Sequence, residues 1–204
     1  MHRSVRSALL IPLTATAVLT GCMSTPDQAD EVAPPFVFRS LNLNQRRDDG
    51  SRDWDLISPE ARYDLESRTV QAQSPSGLIY RDDKPYLRIS ARQATVVNDG
   101  DRIVLDGKVK LQQITDQRLL IEGERLVWTP DDSHIVVDRQ PKALDSRSQL
   151  SAERFVLSQD RNQLRFDGPT RLLHWPKTRS AETESDTEIL AGSGSWNLKS
   201  GRLS

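Results

Sequence analysis

The chain has 204 residues, a formal net charge of −1, 28% charged and 5% aromatic residues, and a mean hydropathy of −0.59. This composition suits one soluble domain, and with Lys and Arg scattered singly there is no basic excess to suggest a nucleic-acid partner. The single cysteine excludes an intramolecular disulfide, and the three histidines (His2, His134, His174) lack ligand-spaced neighbours, so His134 and His174 read as ordinary loop or strand residues.

Residues 1–21 begin with basic Arg3 and Arg6, continue through a short apolar core and end in small residues, the pattern of a secretory signal peptide. The core is too short and too rich in threonine to span a bilayer comfortably. Leu19-Thr20-Gly21-Cys22 reads as a lipobox, which makes Cys22 the lipid-attachment residue and predicts anchorage to a membrane surface without spanning it. Residues 22–35 are polar, acidic and punctuated by proline, a flexible tether. The folded domain is expected over 36–204. Phe36-Val37-Phe38 and Leu41-Asn42-Leu43 restore alternation and read as one first strand, followed by a charged loop from Gln45 to Asp53.

From Asp53 to Leu173 one unit is written four times, around the small residues Ser58, Ala91, Gly123 and Ala152. Two residues before each anchor stand Leu56, Ile89, Ile121 and Leu150. Three after stand Ala61, Ala94, Leu126 and Phe155, and five after stand Tyr63, Val96, Trp128 and Leu157. Twelve after stand Val70, Ile103, Ile135 and Leu164; fourteen after stand Ala72, Leu105, Val137 and Phe166. All twenty positions are apolar in a chain that is 36% apolar, and Asp106, Asp138 and Asp167 follow at position fifteen. Positions three and five share a strand face, as do twelve and fourteen. The polar residues between them include Asn98-Asp99-Gly100, which is turn chemistry, so each copy reads as a hairpin with one apolar face. The apolar parity switches just after the anchor, which predicts a bulge or corner at a small residue. Units fall near 54–85, 86–118, 119–147 and 148–175, with a partial unit over 189–204. Periods of this length mean stacked units, none able to bury its face alone.

The residues Trp54-Asp55-Leu56, Ser58, Ala61 and Tyr63, then Gly77-Leu78-Ile79-Tyr80-Arg81-Asp82-Asp83-Lys84-Pro85-Tyr86-Leu87, Ile89, Ala91 and Ala94, then Leu105, Gly107, Val109 and Leu111, resemble the LptC family of lipopolysaccharide export components. The resemblance covers residues 36–175. It implies an all-β fold of the OstA-like superfamily, a twisted, boat-shaped, open β-jellyroll of antiparallel hairpin repeats. It also implies a periplasmic protein that binds lipopolysaccharide, with lipid A acyl chains against the interior residues Ala61, Tyr63, Val70, Ala94, Val96, Ile103, Leu105, Leu126, Trp128, Ile135, Val137, Phe155, Leu157, Leu164 and Phe166. The implied partners are an LptA-like or LptD-like bridge module paired through an edge strand and an inner-membrane ABC transporter complex of the LptBFG type. Well-known members carry an N-terminal transmembrane helix where this chain has a lipobox. The periplasmic face of the inner membrane is the expected address, although Met23 after the cysteine favours outer-membrane sorting in some bacteria. No cofactor is implied.

Small Ala61, Ala72, Ala94, Val70 and Val96 predict room in the first half of the interior, and Trp128, Phe155 and Phe166 a narrower second half. Without the resemblance, the same columns fit the filled core of a structural, scaffold lipoprotein with protein-binding edges. An enzyme is disfavoured: Asp48-Asp49, Asp82-Asp83 and Asp131-Asp132 lie in predicted loops and form no nucleophile–base set. A carbohydrate-binding sandwich would need exposed aromatics in a row, whereas those here fall mostly at inward parities. Trp175, before Pro176, reads as a cap on the sheet, and Pro176 to Glu188 as a long loop.

Overall fold

The computed structural model describes residues 36–114, 119–179 and 183–204, so the expected signal peptide, Cys22 and the tether lie outside the described residues. The strands are β1 (Phe36–Phe38), β2 (Leu41–Arg46), β3 (Arg52–Ser58), β4 (Glu60–Asp64), β5 (Thr69–Gln73), β6 (Ser76–Arg81), β7 (Lys84–Ser90) and β8 (Gln93–Val97), then β9 (Arg102–Gln113), β10 (Leu120–Thr129), β11 (His134–Arg139), β12 (Lys142–Leu144), β13 (Ser148–Ser151), β14 (Arg154–Ser158), β15 (Gln163–His174) and β16 (Thr187–Asn197). All belong to one antiparallel sheet. No helix among the described residues is long and apolar enough to cross a membrane.

The four expected hairpins are β4–β5, β8–β9, β10–β11 and β14–β15. In each, position three pairs with fourteen and position five with twelve: Ala61 with Ala72 and Tyr63 with Val70, and so on to Phe155 with Phe166 and Leu157 with Leu164. The turn residues explain the tips. Asn98, Asp99 and Asn162 adopt left-handed φ of 48°, 58° and 51°, a conformation these side chains tolerate better than most.

The sheet is creased. One arm holds β1, β4, β5, β8, β11, β14 and the adjoining halves of β9, β10, β15 and β16. The other holds β2, β3, β6, β7, β12, β13 and the remaining halves of the same four long strands. The anchors mark the crossing. The chain passes from β3 to β4 at Ser58, from β7 to β8 at Ala91 and from β13 to β14 at Ala152, while β10 runs through at Gly123 with a register shift before Arg125. Their small size has a steric cause: a Cβ on Gly123 would stand 2.5 Å from Val137 Cγ1 and 3.1 Å from the Arg139 carbonyl. A second crossing follows each hairpin. β9 bulges at Gly107 (φ 75°), and β15 at Gly168 (φ 85°); β5 gives way to β6 at Ser74-Pro75, and β11 to β12 at Gln140-Pro141. Hydrogen bonds span the crease, with Arg92 N–H donating to the Gly107 carbonyl at 2.8 Å and the Ser58 hydroxyl to the Gln73 carbonyl at 2.6 Å. Bending a sheet this way needs an extra residue on one strand, which the bulges supply.

Phe36–Phe38 and Leu41–Arg46, expected as one strand, are two. They edge opposite arms, β1 beside β4 and β2 beside β3. The break at Arg39-Ser40 sends the chain across the crease before the first repeat begins.

The crease geometry makes a stability prediction. Gly123→Val should cost about 1–3 kcal/mol by overpacking, whereas Gly192→Ala, with nothing within 4 Å of its Cβ position, should stay within about 0.5 kcal/mol of the parent. Urea-unfolding midpoints at matched slopes would check both.

Candidate functional site

Strand pairing carries the hairpin columns across the first arm as two unbroken ladders. One runs Ala61, Ala72, Ala94, Leu105, Leu126, Val137, Phe155, Phe166 from strand to strand. The other runs Tyr63, Val70, Val96, Ile103, Trp128, Ile135, Leu157, Leu164 and reaches Trp196 on β16. Every interior residue expected from the repeat therefore lies on one continuous face. All are buried except Tyr63 and Val70, which are half-buried near the β1 edge.

The column before the anchors belongs to the opposite arm. Leu56, Ile89, Ile121 and Leu150 form a third ladder there, interleaved with Gly77, Leu111, Ala143 and Leu172. The sequence reading did not single out Ile79, Leu87 and Leu111 as a facing wall; their alternation through 77–89 and 105–111 was the available signal. The Gly77 position has a packing reason, since a Cβ there would stand 2.3 Å from the Asp55 carbonyl.

The arms meet at an angle. Trp54 on β3, second from one edge of its arm, packs edge-on against Trp128 on β10 with ring centroids 5.9 Å apart and planes at 70°. Arg81, at the β6–β7 turn, reaches Asn162 Oδ1 at 2.7 Å and the Gln159 carbonyl in the β14–β15 turn. Its guanidinium lies 3.7 Å from the Tyr86 ring centroid. The early strands of one arm thus cover later strands of the other.

This crossing fills the interior differently from the expectation. Ala61, Ala72, Ala94 and Val96 are at most 2% exposed, so their small size does not leave a lipid-sized space. Two cavities, of about 650 Å³ and about 240 Å³, lie at the other end beside β15 and β16, and one of about 300 Å³ lies beside Gly123, lined by polar residues such as Lys108, Glu122 and Lys142. Residue size along one face could not show this, because the opposing arm decides what volume remains. Around Trp54 and Trp128 the interior is packed, yet their indole N–H groups are buried and find no hydrogen-bond partner. Each such group costs about 1–3 kcal/mol.

The charged groups stand outside or at the rim. On the outer face of the second arm the Tyr80 hydroxyl donates to Asp55 at 2.5 Å, and Arg52 pairs with Asp55 at 2.7 Å while stacking on the Tyr80 ring. Burial, and then the hydrogen bond to Asp55, raise the Tyr80 pKa above the usual phenol value. His134 and His174 sit on strands apart from each other, and Ser148 Oγ lies 3.2 Å from His174 Nδ1. Among the described residues no cluster of His, Cys, Asp and Glu could hold a metal ion. Trp175, expected as a cap, is buried and donates its indole N–H to the Thr183 carbonyl at 2.9 Å.

Two outcomes follow from this packing. Trp128→Ala should lower stability by about 3–5 kcal/mol, read from chemical denaturation, because the crossed arm cannot collapse into the space. For Tyr80, the raised pKa means stability is fully present below about pH 10 and is lost as pH climbs through the folded value. Tyr80→Phe should abolish that alkaline loss in unfolding measurements over this range.

Residues 8–171 match the family described as lipopolysaccharide-assembly, LptC-related, and the chain belongs to that family. Among solved structures it is similar to LptH, the LptA homologous periplasmic component of the conserved lipopolysaccharide transport device from Pseudomonas aeruginosa, at 9% identity and a TM-score of 0.48, covering 68% of this chain and 93% of that one. No curated protein matches.

Proposed function

We propose that this LptC-related chain is a periplasmic component of lipopolysaccharide transport that takes lipid A acyl chains between the two arms and passes them to a neighbouring bridge module. The observation that carries this reading is the unbroken apolar face: two ladders crossing the first arm, opposed by a third on the second, with β1 and β2 pairing no further strand among the described residues. Such a face is a solvent for alkyl chains. Each methylene withdrawn from water contributes about 0.8 kcal/mol, so retention needs no chemistry. Because the middle of the interior is packed, a chain must part the arms to enter. They are joined by continuous strands only along the crease; across the open side the contacts described above, at Arg81, are between side chain and turn. The unpaired indole N–H groups of Trp54 and Trp128 suit the ester or amide carbonyls that attach acyl chains to a sugar.

In this scheme Cys22 bears the lipid anchor, on the periplasmic face of the inner membrane. The ATPase lies in an inner-membrane ABC complex of the LptBFG type, and an LptA-like or LptD-like module receives the cargo by pairing with an edge strand. An edge that would ordinarily invite aggregation becomes a docking register. A filled scaffold with protein-binding edges is the second reading, favoured by the near-complete burial of Trp128, Leu105 and Phe155.

Photocrosslinking separates the two. A photoreactive residue placed in turn at Val96, Leu105 and Phe166 should crosslink to lipopolysaccharide, while Asp106 and Lys108, on outward positions, should not. Silence at every site in a folded protein would leave only the scaffold.

A further inference from the structure

The two cavities at the β16 end have one lining residue in common. The larger lies between the β12–β13 turn, with His174, on one arm and Trp196 and Leu198 on the other. The smaller is apolar and bounded by Leu150, Phe166, Leu172 and Ile189. Leu203 lines both. On its own the smaller volume falls below the roughly 300 Å³ of ordinary ligand pockets; joined to the larger it becomes the deep end of one site.

Leu203 is held there by a short return of the chain. Ser195 N–H donates to the Ser204 carbonyl at 2.7 Å, and Ser204 N–H donates back at 2.9 Å. Asn197 N–H donates to the Arg202 carbonyl at 2.8 Å, and Trp196 is bridged to Leu203. These bonds occupy the outer edge of β16 on the first arm. On the second arm the same strand differs: among the described residues Thr187–Ala191 pairs only with β15, and Ile189 and Leu190 are 51% and 73% exposed. A strand added at this end to extend both arms finds one edge free and the other taken by residues 201–204.

We infer that Gly201–Ser204 is a displaceable plug: an incoming partner strand that pairs with Ser195–Asn197 removes it, and withdrawal of Leu203 joins the two cavities into one acyl-chain site open at that end. This rests on the acyl-binding reading above and adds a coupling to it. The partner strand restores the backbone bonds it breaks, so the exchange turns on side-chain contacts: those of Leu203 and the Ser195–Ser204 hydroxyl pair. Acceptance of a partner and joining of the two cavities become the same event.

The test uses the full chain with Ser195→Cys and Ser204→Cys together, a pair chosen because the two Oγ atoms lie 3.0 Å apart. The single variants control for pairing with Cys22. The probe is a brominated stearic acid, which quenches nearby tryptophan; Trp196 lines the larger cavity. Circular dichroism establishes folding of every form. The reduced double variant should be quenched like the parent, the oxidised form roughly tenfold or more weakly, and Leu203→Ala at lower probe concentration than either. Equal quenching of the oxidised and reduced forms would overturn the plug and leave acyl binding standing. Absence of quenching in every form, Leu203→Ala included, would reject acyl binding itself and the plug with it.

Discussion

Everything in this molecule depends on how the sheet is bent. A strand presents successive side chains to opposite faces, so a flat sheet of this sequence would carry half of each repeat's apolar residues to the wrong side. The crease corrects the parity. Leu56 and Ala61 are five residues apart, yet both face inward, because the chain turns over at Ser58 between them. The same holds for Ile89 and Ala94, and for Leu150 and Phe155. Small anchors permit the turn; Gly107, Gly168, Ser74-Pro75 and Gln140-Pro141 reverse it on the way back.

One consequence is a structure with two unlike sides. Along the crease the arms share continuous strands and backbone hydrogen bonds. Along the opposite side they touch through side chains such as Arg81, Tyr86, Trp54 and Trp128. Parting them there breaks few directional bonds but exposes apolar surface, which costs about 25 cal/mol per Å² in water. This member of a lipopolysaccharide-assembly family is thus closed by continuous backbone on one side and by side-chain packing on the other.

The ends of the sheet follow the same economy. Stacked repeats end in strand edges. At one end β1 and β2 carry exposed Phe36, Val37 and Phe38. At the other, among the described residues, β16 is bare on one arm and covered by its own chain on the other. The asymmetry between the ends is physical: an edge covered by a few residues through a handful of bonds is protected from casual pairing.

The sequence by itself determined the local structure. Its period placed the four hairpins, their tips and their inner register, because alternation and turn chemistry are local properties. It also marked the first corner in each unit, since the parity switch at Ser58, Ala91, Gly123 and Ala152 is visible in the pattern. It hid the second corner: Gly107 and Ser74-Pro75 look like ordinary turn residues, and nothing local distinguishes a bulge from a break. The split between Phe36–Phe38 and Leu41–Arg46 was hidden for the same reason. What only the tertiary structure decided is which residues oppose which across the interior. The angle between the arms sets Trp54 against Trp128 and Arg81 against Asn162, closes the space above the alanines, and leaves the cavities beside β16. That angle comes from the summed twist and bulges of sixteen strands, a property that no single repeat contains.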